Sequence, residues 1–94
     1  QPDQAACALG LAAIALSAAL SAGQYAGERG PAAVLDAARE VLAAEPRLEL
    51  EYLELRDEDL GPTPEIGPAR LLVAARAGTT RLIDNALVSV VRRV

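Results

Sequence analysis

The 94-residue sequence contains no His, Lys, Met, Trp or Phe. Without His, the chain lacks the usual general base for chemistry near neutral pH and the imidazole ligand of many metal sites. Without Lys, it has neither the lysine of a phosphate-binding P-loop nor an amine that could form a Schiff base. A single cysteine, Cys7, excludes an internal disulfide and a cysteine-based zinc site. These absences predict a chain that is not a self-sufficient enzyme.

Size and charge narrow the class of protein further. A chain this short removes only about 60–65% of its unfolded surface from water, so residues 1–94 are expected to form one small domain. The formal net charge is −4 and every cation is Arg. An acidic domain without a basic face is not expected to bind nucleic acid. Because position 1 is Gln, we expect the chain to be a piece of a longer polypeptide.

Residues 5–22 carry no charge, so a membrane span has to be considered. Half of these residues are Ala, three are Gly or Ser, and a span needs roughly 20 strongly apolar residues. The segment starts with Gln1-Pro2-Asp3-Gln4, whereas a signal peptide starts with positive charge. No membrane partner is therefore expected, and a buried helix is the favoured interpretation.

This first helix is apolar on more than one side. Helical spacing produces one apolar stripe and then a second on a different side, which are Leu9, Ala13, Leu16 and Leu20, and Leu11, Ile14 and Ala18. Gly23 and Gly27–Gly30 are expected to end the helix. A helix that is apolar over most of its circumference needs neighbours on several sides, which indicates a partner domain.

The second predicted helix is amphipathic. Pro31 suits a first helical position and Pro46 ends the pattern. The apolar residues Val34, Leu35, Ala38, Val41 and Leu42 repeat with helical period, while Asp36 and Arg39 are spaced to pair on the surface.

Three strands are predicted after the second helix. Residues 47–56 alternate from Leu48 to Tyr52 and then slip in phase at Leu53, which predicts either a bulge near Tyr52–Leu53 or a covered outer face. A long loop (57–69), a strand (70–76), a turn (78–80) and a third strand (81–85) follow, while residues 86–94 fit a helix or a strand equally well. The sequence thus predicts an α+β fold of order α-α-β-β-β, with two layers: a small three-stranded antiparallel sheet and two helices packed on one face.

No residue stands out as catalytic, cofactor-binding or metal-binding. Asp57, Glu58 and Asp59 could hold a divalent cation, but their spacing matches no known loop and acidic loops are usually solvated. Cys7 has no basic neighbour in sequence and is interpreted as a small buried hydrophobe. The turn Gly78-Thr79-Thr80 is a weak candidate for phosphate binding.

Two polar clusters, Arg56-Asp57 and Arg81-Leu82-Ile83-Asp84-Asn85, require a separate interpretation. They could form ion pairs at the end of the sheet, or they could face a ligand or another domain. Structural ion pairs are common, so the first interpretation is favoured.

Three blocks in this region resemble the C-terminal domain of the pantothenate synthetase (pantoate–β-alanine ligase) family. The blocks are Tyr52-Leu53-Glu54-Leu55-Arg56-Asp57, Arg70-Leu71-Leu72-Val73-Ala74-Ala75-Arg76 and Gly78-Thr79-Thr80-Arg81-Leu82-Ile83-Asp84-Asn85. Leu16-Ser17-Ala18-Ala19-Leu20 is similar to the helix that opens that domain. The resemblance covers nearly the whole chain.

The resemblance implies an ATP-dependent, AMP-forming ligase of the cytoplasm. The intact enzyme would form a pantoyl adenylate with release of pyrophosphate, and the amine of β-alanine would then attack the acyl carbon to give pantothenate and AMP. ATP with Mg, and the motifs that bind the nucleotide, would belong to an N-terminal Rossmann-like domain. That domain is absent from this chain and would be its partner, and the intact enzyme would be a homodimer.

The same resemblance makes this chain a lid over the active-site cleft, inactive by itself. We therefore assign it no catalytic, cofactor-binding or metal-binding residue. Arg56, Asp57, Arg81 and Asp84 are candidates for the rim that faces the cleft. The alternative is an independent module that dimerises through the first helix or a free sheet edge.

Overall fold

The computed structural model describes residues 4–64 and 66–91, with side chains from Gly10 onward. Helix α1 (Gln4–Tyr25) leads through a short 3-10 helix (Ala26–Arg29) into helix α2 (Pro31–Ala43). Strands β1 (Leu48–Asp57), β2 (Gly67–Ala77) and β3 (Thr80–Val90) follow and form an antiparallel sheet in the order β1-β2-β3. The predicted α+β fold is confirmed.

Helix α1 continues through Gly23 and ends at Tyr25, so the prediction is wrong for Gly23, whereas the predicted Gly27–Gly30 segment does follow the end of the α-helix. The glycine serves packing, because a Cβ at position 23 would lie 2.5 Å from Leu71 Cδ2 of the sheet. The absent side chain lets the helix lie close to β2. The chain reverses instead at Gly30, whose φ of +94° is in the region that favours glycine.

The buried side of α1 differs by one position from the predicted stripe. Leu16 and Leu20 are buried as expected, but Ala12 and Ala19 join them, whereas Ala13 is exposed. The side chain of Leu9 lies outside the described residues. The second predicted stripe is on the surface, with Leu11 44% and Ile14 65% exposed.

Helix α2 confirms its prediction. Pro31 occupies the first turn, and Val34, Ala38 and Leu42 are buried at helical spacing. On the exposed side, Arg39 Nη1 lies 3.5 Å from Asp36 Oδ1.

Strand β1 contains the predicted bulge, slightly earlier than expected. Leu50 pairs with Ala75 and Tyr52 with Ala74, so Glu51 is an extra residue without a partner on β2. The bulge explains the slip in apolar phase, because it lets Leu48 before it and Leu53 after it pack against the same helix-covered core.

The β2–β3 hairpin is longer than the sequence predicted. It turns at Gly78, where φ is +64° and the first position of a two-residue loop favours glycine. Strand β2 starts at Gly67 rather than Arg70, and Pro68 is tolerated because β1 has already ended opposite Ala69. The ambiguous tail is a strand as far as Val90, and residues 92–94 lie outside the described ranges.

The core lies between the two helices and one face of the sheet. Its buried members include Val34 from α2, Leu55 from β1, Leu71 and Val73 from β2, and Val88 and Val90 from β3. Helices therefore cover one face only, as predicted. We call the other face, formed by Glu49, Glu51, Tyr52, Glu54, Arg56, Arg70, Leu72, Ala74, Arg76, Arg81, Ile83, Asn85, Leu87 and Ser89, the open face.

Candidate functional site

The four candidate rim residues do not form one cluster. Arg56 pairs in register with Arg70, whereas Arg81 pairs with Arg76. Arg70 and Arg76 are six positions apart on β2, which is roughly 20 Å along a strand. The two arginines therefore lie towards opposite ends of the open face.

Glu51, the bulged residue of β1, organises the end of the open face near Arg81. Its Oε1 accepts a hydrogen bond from Arg81 Nε at 2.7 Å, and its Oε2 accepts one from Arg76 Nη2 at 3.3 Å. The bulge makes this possible because Glu51 has no strand partner of its own. One carboxylate thus fixes two guanidinium groups from two different strands.

The other end of the open face also carries paired polar side chains. Arg56 Nη2 donates to both carboxylate oxygens of Glu54 at 3.0 Å, and Arg70 Nη1 donates to Asn85 Oδ1 at 2.6 Å. Arg56 and Arg81 therefore each form an ion pair, with Glu54 and Glu51 respectively. The Arg56–Glu54 and Arg81–Glu51 ion pairs are partly exposed, so each contributes at most about 1 kcal/mol to the stability of the domain.

Asp57 has a structural role at the end of β1. Its Oδ1 accepts the backbone N–H groups of Asp59 at 2.9 Å and Gly61 at 2.7 Å, which closes the turn that follows the strand. Leu60 within this turn has a φ of +65°. Among the side chains that the structure describes, in residues 10–64 and 66–91, no group of three or more His, Cys, Asp or Glu is arranged to hold a metal ion.

Asp84 does not join Arg81. It pairs in register with Val73 on the helix-covered side of the sheet, although it is exposed, and its Oδ1 accepts the backbone N–H of Asn85 at 2.8 Å. Asp84 is therefore a solvent-exposed strand residue whose side chain bonds to the backbone of its own neighbour.

The centre of the open face is apolar, a feature that the sequence reasoning missed. Tyr52, Ala74 and Ile83 form one row across the three strands, and Leu72 and Leu87 extend it. The signal was available in the continuous apolar run of β2, because such a run is typical of a strand that is covered on both faces.

The outer side of α1 carries a largely open depression lined by Ser21, Gln24 and Tyr25. None of these side chains is charged at neutral pH, and Gln24 Nε2 already donates to the carbonyl oxygen of Leu87 at 2.8 Å. Within the described part of the chain, α1 and α2 are not long and apolar enough to span a membrane.

The fold and the open face together define a small α+β domain with ion pairs between the strands of its sheet. Comparison with known proteins identifies its family. The sequence profile of pantoate–β-alanine ligase matches residues 9–87. The chain therefore belongs to the pantoate–β-alanine ligase family.

Individual relatives agree with this assignment. Pantothenate synthetase of Saccharopolyspora erythraea is 69% identical over 77 residues, which are 82% of this chain and 26% of the relative. The enzyme of Nocardia farcinica is 65% identical and is covered over 24% of its length. A crystal structure of pantothenate synthetase from Thermus thermophilus superposes with a TM-score of 0.69 at 34% identity, covering 77% of this chain and 28% of that one. The chain thus spans about a quarter of the length of the curated relatives it matches.

Proposed function

We propose that this chain is the C-terminal lid domain of a pantothenate synthetase. The whole enzyme joins pantoate to β-alanine through a pantoyl adenylate, converting ATP to AMP and pyrophosphate. The observation that supports this proposal is the family match over residues 9–87, which spans both helices and nearly the whole sheet. The names of the relatives point to the same activity.

The chain contributes enclosure rather than chemistry. Its sequence has no His or Lys, and no charged or polar side chain among those that the structure describes is buried. A domain that closes over an acyl adenylate excludes water and so favours attack by the amine of β-alanine over hydrolysis. No cofactor is assigned to this domain, and ATP with Mg belongs to the remainder of the enzyme.

The partner of the chain is the N-terminal nucleotide-binding domain of the same polypeptide. The length of the relatives supports this partner, because about three quarters of each lies outside the matched segment. The whole enzyme is a cytoplasmic homodimer in this proposal. Neither nucleic acid nor a membrane is a partner.

The alternative is an independent interaction module that dimerises through α1. The exposed side chains of Leu11 (44%) and Ile14 (65%) favour it, since large aliphatic groups side by side on a helix surface are typical of contact sites. A test with substrates separates the two proposals. A ligase requires pantoate, β-alanine and ATP for its activity, whereas an interaction module dimerises without them.

The experiment uses the full-length polypeptide that carries this segment. Incubated with pantoate, β-alanine and ATP, it should form pantothenate and AMP in equal amounts. A variant with a disturbed lid, such as Gly27→Ala, should form more AMP than pantothenate because water reaches the adenylate. Failure of the unaltered polypeptide to form pantothenate would overturn the ligase assignment, and equal AMP and pantothenate in the variant would overturn the lid role.

A further inference from the structure

The open face does not have the composition of a sheet face that meets water. An antiparallel sheet with one solvated face normally alternates apolar residues towards the core with polar residues outward. Here the outward positions at the centre of the sheet are Leu72, which is half-buried, and Ala74, which is buried, both on β2. Beside them on β3 lie Ile83 and Leu87, which are 62% and 55% exposed. The apolar row therefore continues to a surface that no described element covers.

Charged and polar groups lie on both sides of the Tyr52–Ala74–Ile83 row along the strands, and Asn85 also separates Ile83 from Leu87 on β3. The Glu51 carboxylate holds Arg81 and Arg76 at one end, and the Arg70–Asn85 hydrogen bond lies towards the other. An apolar centre with a polar border that contains Tyr and Arg is the typical anatomy of a protein interface. Since Glu51 and Asn85 already orient the guanidinium groups, less side-chain entropy would be lost when a partner binds them.

The size of the open face favours a partner within the same polypeptide. Three strands of about 10 residues at the usual strand spacing and rise present about 500 Å². A stable complex between separate chains buries about 800 Å² on each partner, whereas interfaces between domains of one chain begin at about 300 Å² per side. Covalent linkage makes the smaller area sufficient, because it supplies an effective concentration in roughly the millimolar range.

We propose that the open face is the surface on which the remainder of the synthetase polypeptide docks. The surface of that partner is apolar at its centre and places carboxylate or carbonyl oxygens opposite Arg70, Arg76 and Arg81. This inference rests on the proposed function for the identity of the partner. The curated relatives, about four times as long as the matched segment, supply the chain that would occupy the face.

The outer side of α1 is the competing surface. It exposes Leu11 and Ile14 to a similar degree, but residues 10–25 contain no charged side chain that could border and orient an interface. The open face has both the apolar centre and the border, and is therefore the stronger site.

Hydroxyl-radical footprinting of the full-length polypeptide, read by mass spectrometry, tests the proposal directly. Ile83 and Ile14 are a matched pair, since they are the same residue type and are 62% and 65% exposed in this domain. We expect Ile83 and Leu87 to be oxidised several-fold more slowly than Ile14. Equal oxidation of the two isoleucines, or protection of Ile14 alone, would overturn the proposal. Protection of Ile83 that disappears on dilution would assign the face to a second copy instead.

A pair of variants of the full-length polypeptide gives a second readout. In Ile83→Glu, a charge replaces the apolar centre, and oxidation of Leu87 and Tyr52 should rise several-fold, whereas Ile14→Glu should leave both unchanged. An unchanged footprint in Ile83→Glu would contradict docking at this face. Footprinting does not depend on turnover, so failure of the ligase assay with a protected Ile83 would remove the enzymatic identity of the partner and leave the interface in place.

Discussion

The backbone N–H of Val91 donates to the carbonyl oxygen of Gly27 at 2.9 Å, which ties the end of β3 to the 3-10 helix. The two segments approach so closely that a Cβ at position 27 would collide with the carbonyl oxygen of Ser89. Gln24 adds a hydrogen bond to Leu87 nearby. These contacts protect part of an edge strand whose free backbone groups would otherwise be open to pairing.

Replacement of Gly27 by Ala should destabilise the domain. The added methyl group meets backbone rather than a flexible side chain, so the helix layer must move away from β3. We expect a loss of about 2–3 kcal/mol, at the upper end of the cost of inserting a methyl group into a packed site. Hydrogen exchange of β3 amides in the full-length polypeptide should accelerate accordingly.

Gly10→Ala is the matched control for this substitution. A Cβ at position 10 would have no heavy atom within 4 Å, and the residue lies within α1. Alanine is the better helix former, so this change should stabilise the domain by about 0.5–1 kcal/mol. If Gly27→Ala and Gly10→Ala change the rate of β3 amide exchange in the same direction, the close approach of Gly27 to Ser89 does not contribute to stability as proposed.

Leu71→Ala should cost about 3 kcal/mol. Leu71 is 0% exposed, and its Cδ2 occupies the space that the missing side chain of Gly23 leaves open. Truncation removes a buried aliphatic group and leaves a cavity between the sheet and α1. Leu11→Ala, at a side chain that is 44% exposed, should cost less than about 1 kcal/mol. Denaturant titration, followed by hydrogen exchange of the β2 amides, would measure the loss of stability in both variants. Equal losses would contradict the assignment of Leu71 to the core and of Leu11 to the surface.

Periodicity predicted those elements that have one apolar side. Helix α2 buries a single face, so the spacing of Val34, Ala38 and Leu42 was sufficient to place it. The bulge could also be predicted, because a strand that keeps its apolar residues towards one core can change phase only by inserting a residue.

Features that depend on distant residues could not be predicted. Gly23 stays in a helix because Leu71 packs against it from the sheet, a tertiary contact that outweighs helix propensity. Similarly, β2 reaches back to Gly67 because Val90 lies opposite it. The contacts of the candidate site could not be predicted for the same reason. Glu51 and Arg81 are 30 residues apart, and only the register of three strands brings them together.

Asp57 offers a test of the turn after β1. Asp57→Ala removes the acceptor of the Asp59 and Gly61 backbone N–H groups, and should cost about 1–2 kcal/mol. Asp57→Asn keeps one oxygen in place and should retain about half of that stability. Protease sensitivity at residues 58–61 in the two variants is the measurement, and equal sensitivity would show that the Oδ1 contacts do not hold the turn.

Arg81→Ala in the full-length polypeptide tests the hypothesis that Arg81 borders the cleft. The change removes a guanidinium group that Glu51 holds on the open face, where we propose that the partner docks. We expect kcat/KM for pantothenate formation to fall roughly tenfold, which corresponds to about 1.4 kcal/mol of lost transition-state stabilisation. Domain stability should change by less than about 1 kcal/mol, because the ion pair is partly exposed.

Arg39→Ala is the control, since Arg39 forms an exposed ion pair on α2, away from the open face, and its loss should leave kcat/KM unchanged. Unchanged turnover and affinity in Arg81→Ala would remove this residue from the rim, whereas equal losses in both variants would indicate a general effect of charge.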